Sequence, residues 1–89
     1  MNKVIIERLN SSEIEKRDVK NWPIWTKEIS KFTADYETDE ECLFLEGEVI
    51  IETTEGDFKI VAGDFVTFKS GLVCVWDIKE KVKKHYNFK

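Results

Sequence analysis

Glycine cuts the middle of this chain at short, regular intervals. All four glycines fall between residues 47 and 71, each beside an acidic or small polar residue: Glu46-Gly47-Glu48, Glu55-Gly56-Asp57, Gly63-Asp64 and Ser70-Gly71. Steps of this kind read as turns. The stretches 42–45, 49–54, 58–61, 65–68 and 72–78 between and around them are rich in β-branched and aromatic residues, which suits short strands at meander spacing. Upstream, residues 4–6 suit an opening strand, and residues 11–16 suit at most a helical turn. Pro23 favours an extended edge over residues 21–25, a pair of strands fits 25–36, and residues 81–88 fit a final strand. No amphipathic helix of ordinary length emerges, so the expectation is an all-β sandwich or barrel.

With 89 residues the chain can bury one core and form one domain, spanning 1–89. No window approaches the roughly 18 apolar residues that a membrane helix needs. The start at Met1-Asn2-Lys3-Val4-Ile5-Ile6-Glu7 turns charged too early for a signal peptide. A cytoplasmic protein is the expectation. Cys42 and Cys74 lack the number and spacing of a disulfide framework or zinc site, and read as reduced thiols. A net charge of -4, from 18 acidic and 14 basic residues spread along the chain, leaves no basic stripe for nucleic acid. The abundance of Glu and Lys and the absence of Gln fit an organism of hot habitats.

A strand's two-residue period sorts the side chains by face. Leu72, Cys74, Trp76 and Ile78 share one face, opposite Val73, Val75, Asp77 and Lys79. Phe32, Ala34 and Tyr36 alternate with Lys31, Thr33 and Asp35, and the apolar set should point inward. For Glu40, Cys42 and Phe44 against Glu41, Leu43 and Leu45, apolar content does not choose.

Glu40, six residues and then Gly47 resembles the end of the first cupin motif. The second motif runs glycine, five residues, proline, one residue, glycine, two residues, histidine, three residues, asparagine. Its intervals match Gly63, Lys69, Gly71, Cys74 and Ile78, with only the glycines keeping their identity. Together with residues 41–47, 62–66 and 75–77 and the pair Lys84 and Tyr86, the pattern is similar to the small single-domain cupins grouped with ureidoglycine aminohydrolase. It covers roughly residues 22–88. The resemblance implies a double-stranded β-helix, or jelly-roll, barrel with an interior pocket. Metal-binding members hold their ion with two histidines and a glutamate from the first motif and a histidine from the second. Those positions correspond to Ala34, Tyr36, Glu40 and Cys74, with no imidazole among them, so no metal or other cofactor is expected.

Several side chains carry two readings. Glu40 either faces the interior, partly desolvated and suited to acid or base work, or lies in water beside Asp39 and Glu41. Lys84, which breaks the apolar alternation of its strand, either enters the barrel and pairs with Glu40 or a ligand carboxylate, or snorkels at the rim. Cys42 and Cys74 are pocket thiols, one of them ionised by Lys84, or plain apolar filler. Tyr36, Trp76 and Tyr86 line a cavity suited to a flat ligand, or are core. Trp22 and Trp25 cover an open end or a contact in a homodimer. His85, between Lys83 and Asn87 on its face, is expected in solvent.

The expected function is metal-independent binding of a small polar metabolite in a pocket of Tyr36, Glu40, Cys42, Cys74, Trp76, Lys84 and Tyr86. If catalytic, the chain is an isomerase or hydrolase with Glu40 as acid or base and Lys84 as its electrostatic partner. The alternative is a non-catalytic ligand sensor or a barrel that acts by pairing with another chain.

Overall fold

A computed structural model describes residues 3–89. Met1 and Asn2, where the segment read against a signal peptide begins, lie outside it. The chain forms β1 (Val4–Glu7), a short helix α1 (Ser11–Lys16), a single 3-10 turn (Val19–Asn21), β2 (Ile24–Lys27), β3 (Ser30–Asp35), β4 (Glu40–Thr53), β5 (Gly56–Val61), β6 (Phe65–Phe68) and β7 (Val73–Phe88). Every strand pairing is antiparallel.

Two long strands organise everything else. The first half of β4 lies between β6 and the last half of β7, and the second half of β4 lies between β5 and the first half of β7. On its other side β7 carries β3 along its first half and β2 along its last. The ladder therefore divides into a β3–β7–β4–β5 layer and a β2–β7–β4–β6–β1 layer that share two bent strands. Contacts between the rings of Trp76 in one layer and Phe44 and Phe68 in the other, with centroids 6.1 and 5.6 Å apart, join the inner faces. This is the jelly-roll architecture expected from the sequence. Among the described residues, however, the hydrogen-bonded path runs from β1 to β2 without closing into a ring. The layers are joined by packing, so the molecule is a cup with free edges.

The bend resides at Gly47, and here the sequence reading needs correction. Glu46-Gly47-Glu48 is not a turn between two strands but an irregular stretch inside one strand, with register shifts against β7 between Phe44 and Val49. Before it, the buried inward residues of β4 are even-numbered: Glu40, Cys42, Phe44. After it they are odd: Val49, Ile51. On β7 the parity stays even throughout, at Cys74, Trp76, Ile78, Val82 and Lys84. An extra residue on one strand alone flips its alternation and bends it. Likewise the stretches read as 72–78 and 81–88 belong, from Val73 onward, to one strand, whose inward residues keep even numbers on both sides of the exposed residues 79–81. The other three glycines do mark turns.

The outer face of the second layer is also covered. Asn10 caps α1 by accepting from the backbone N–H of Glu13, whose carboxylate accepts from the N–H of Asn10 in return. This segment lays Val19, with Leu9, Ile14 and Trp22, over Leu43 and Phe65. So β4 is buried on both faces at Leu43, which explains why apolar content did not choose a face there.

Candidate functional site

Even parity on β7 carries Lys84 inward, where its neighbours in register are Phe44 on β4 and Trp25 on β2. The ammonium is 3.4 Å from Glu40 Oε2 and donates to Cys42 Sγ at 3.2 Å. Both charged side chains are almost wholly buried, 5% exposed for Lys84 and 6% for Glu40. Around the nitrogen stand the rings of Trp76, Trp25, Phe44 and Phe68, with centroids 4.8 to 6.0 Å away. Removing two charges from water costs several kcal/mol per ion. The negative ring faces and the carboxylate offset part of that cost, although 3.4 Å exceeds the ~2.7–2.9 Å of the tightest ionic hydrogen bonds.

This pair forms the floor of a cavity of about 620 Å³, a volume in the usual range for a small-molecule site. Trp25, Phe32, Trp76 and Tyr86 form its walls, with Tyr36 beside Glu40, while Asp35, Glu37, Thr38 and Phe88 border its mouth. Phe32 stacks on Trp76 at 5.9 Å with an 18° interplanar angle, and Trp25 meets Trp76 edge-on at 5.7 Å. Tyr36 stacks on Phe68 at 5.0 Å. The indole N–H of Trp76 is buried and, among the described residues, has no well-aligned hydrogen-bond partner.

Burial, reinforced by the charge of Glu40, drives the Tyr36 phenol far above its usual range, so it stays protonated. Burial likewise pushes the Cys42 thiol up to about 12, outweighing the pull of Lys84, and Cys74 up to about 11. Both are neutral thiols near pH 7, which disfavours the thiolate reading of either. Stability from these groups is fully present below about pH 9, the ordinary thiol value, and is lost as pH rises through about 11 and 12. The melting temperature should therefore fall on the alkaline side of pH 9, and Cys42→Ala should flatten that fall. Iodoacetamide at pH 8 should leave both thiols unmodified until guanidinium unfolds the chain.

Of the residues singled out by sequence, Tyr36, Glu40, Trp76, Lys84 and Tyr86 come together at the cavity. Cys42 and Cys74 do not line it: Cys42 lies against Lys84 with no exposed surface and Cys74 is 2% exposed. Trp25 is a cavity wall, whereas Trp22 lies on the outer face, 6.2 Å from Phe65. His85 does not lie in solvent as expected. It is buried, with Nδ1 3.0 Å from the carbonyl oxygen of Trp22. Since a carbonyl only accepts, the ring carries hydrogen on Nδ1. Alternation assigned His85 to the correct, outer face, but could not show that the N-terminal helical segment covers it. Phe32 was legible as an inward residue, while the two acids at the mouth carried no signal in the sequence.

The four family metal positions were Ala34, Tyr36, Glu40 and Cys74. Ala34 and Tyr36 offer no imidazole nitrogen, and Glu40 already faces an ammonium. The donor set does not fit a first-row ion. Among the described residues no three His, Cys, Asp or Glu side chains gather as a metal cluster.

Residues 14–86 match the EutQ-like cupin domain family. The chain belongs to that family. A crystal structure of a DUF861-family protein from Thermotoga maritima is similar over 97% of this chain and 99% of its own, with 44% identity and a TM-score of 0.94. The Clostridium difficile EutQ protein is 12% identical, over 96% of this chain and 66% of its own, with a TM-score of 0.68. A cupin superfamily protein from Desulfitobacterium hafniense is 17% identical, over 96% and 75%, with a TM-score of 0.62. The last two likenesses establish the fold alone. No protein of curated function matches the chain. No helix among the described residues is long and apolar enough to cross a membrane.

Proposed function

We propose that this EutQ-like cupin binds a small organic metabolite without a metal, in the cavity floored by Lys84 and Glu40. The observation that carries the reading is the buried ammonium itself. It sits against the one carboxylate among the four family metal positions, so a fixed positive charge of the chain supplies what an ion would supply elsewhere. The resemblance to the ureidoglycine aminohydrolase group belongs to this reading and adds a catalytic form of it. There Glu40 moves a proton at a bound metabolite, and Lys84 stabilises the charge that develops. The non-catalytic alternative, a ligand sensor, draws support from the pairing of Glu40 with Lys84, which occupies the carboxylate before any ligand arrives.

Two measurements decide. Elemental analysis of purified protein should find zinc, manganese, iron and nickel all well below one ion per chain; a stoichiometric ion removed by Glu40→Gln would overturn the metal-free reading. A metabolite screen by thermal shift should find a ligand worth about 2.7 kcal/mol of stability at a hundred times its dissociation constant. Glu40→Gln then separates the two forms: a catalyst loses turnover of that ligand, whereas a sensor keeps its affinity.

A further inference from the structure

The charges around the cavity are unevenly arranged. At the floor Lys84 and Glu40 cancel. Among the described residues no other basic residue lines the cavity, although Lys27 Nζ stands 5.6 Å from the centroid of the Phe32 ring, while Asp35 and Glu37 stand at its mouth. Both are exposed, and neither side chain makes an ion pair or hydrogen bond with a described residue. Neighbouring Asp39 differs: its carboxylate holds Lys69 Nζ at 2.7 Å and the Ser70 N–H at 2.8 Å, which keeps it below its usual range. The mouth is thus net negative, and the walls behind it are aromatic.

We infer that the ligand is an amphipathic organic amine, its flat apolar body inside against Trp25, Phe32 and Tyr86 and its ammonium at the mouth beside Asp35 and Glu37. The inference rests on the ligand-binding reading of the cavity and adds chemical class and orientation to it. Aromatic faces carry negative charge, so rings and carboxylates at the mouth attract a cation and repel an anion. Orientation follows from Lys84. Its ammonium already occupies the ring cage at the floor, and a second cation at that depth would meet a like charge at low dielectric. The amine therefore stays outside while the apolar body enters.

Three probes with one indole body and different tails test this on the full chain by calorimetry: tryptamine (cationic), tryptophol (neutral) and indole-3-acetate (anionic). At low salt tryptamine should bind about tenfold or more tighter than indole-3-acetate, with tryptophol between, and the gap should narrow near 0.5 M salt, where charges separated by more than ~4 Å are screened. Asp35→Asn with Glu37→Gln, on the exposed rim, should bring tryptamine to the level of tryptophol and leave tryptophol unchanged. Equal or tighter binding of indole-3-acetate, or a gap that survives the double variant, overturns the inference. If all three bind alike and Tyr86→Ala abolishes them together, the amine class falls while the cavity reading stands. If none of the three binds, both fall.

Discussion

Lys84→Met should cost about 3–5 kcal/mol of folding stability, the usual penalty for stranding one partner of a buried ion pair. For a domain of this size that corresponds to a fall in melting temperature on the order of 20 °C. The site explains the size of the effect. The Glu40 side chain is 6% exposed, and the ammonium is its only ion-pair partner among the described residues. Methionine fills the ring cage of Trp25, Trp76, Phe44 and Phe68 with similar volume, so little of the loss comes from a cavity. The double variant Lys84→Met with Glu40→Leu removes both charges and should recover most of the loss, because two apolar groups of like shape replace a desolvated pair at little net cost. Denaturant titration of the four proteins of this cycle measures the coupling. A single variant as stable as the parent, or a double variant no better than the single, would contradict a buried and mutually dependent pair. A double variant that folds well yet binds no ligand would show that the pair is retained for function.

The fold was legible to the extent that period two is a local property. Cys74, Trp76 and Ile78 were placed on one face from alternation alone, and that face is buried; Phe32, Ala34 and Tyr36 were turned inward from the same period, and the structure agrees. For Lys84, a charge that broke an apolar pattern left two readings open, interior or rim, and the structure places it inside. What could not be read are the facts set by distant segments. His85 and Leu43 are covered by a helical segment that starts thirty or more residues upstream of either. Neither thiol reached the cavity wall, because Cys42 packs under Lys84 and a small apolar side chain suits that space. Asp35 and Glu37 border the mouth only because β3 ends where it does, and nothing in the local pattern of two acids around a tyrosine distinguishes a rim from any solvated turn.

Gly47 is where local reading failed most instructively, and Gly47→Ala should be the most damaging single-methyl change in the chain. The residue adopts φ 101°, in the left-handed region that disfavours any side chain, at a cost on the order of 1–3 kcal/mol. A Cβ there would also overlap the carbonyl oxygen of Lys81 and crowd the Cα of Val82, both backbone atoms of β7 that cannot swing aside. The added clash should carry the total to at least about 3 kcal/mol, in the range of core-disrupting changes. Gly56→Ala is the matched control: φ is 124°, but open space surrounds the position, so only the conformational term applies. The chain has no easy escape by slipping register. A one-residue shift of β4 past the bend would turn Val49 and Ile51, both fully buried, out to water. Comparing the denaturant midpoints of the two variants isolates the close approach of β4 to β7. Equal losses at Gly47 and Gly56 would mean that the two strands are not pressed together at the bend. The parity switch that brings Glu40 and Ile51 to the same interior would then need another cause.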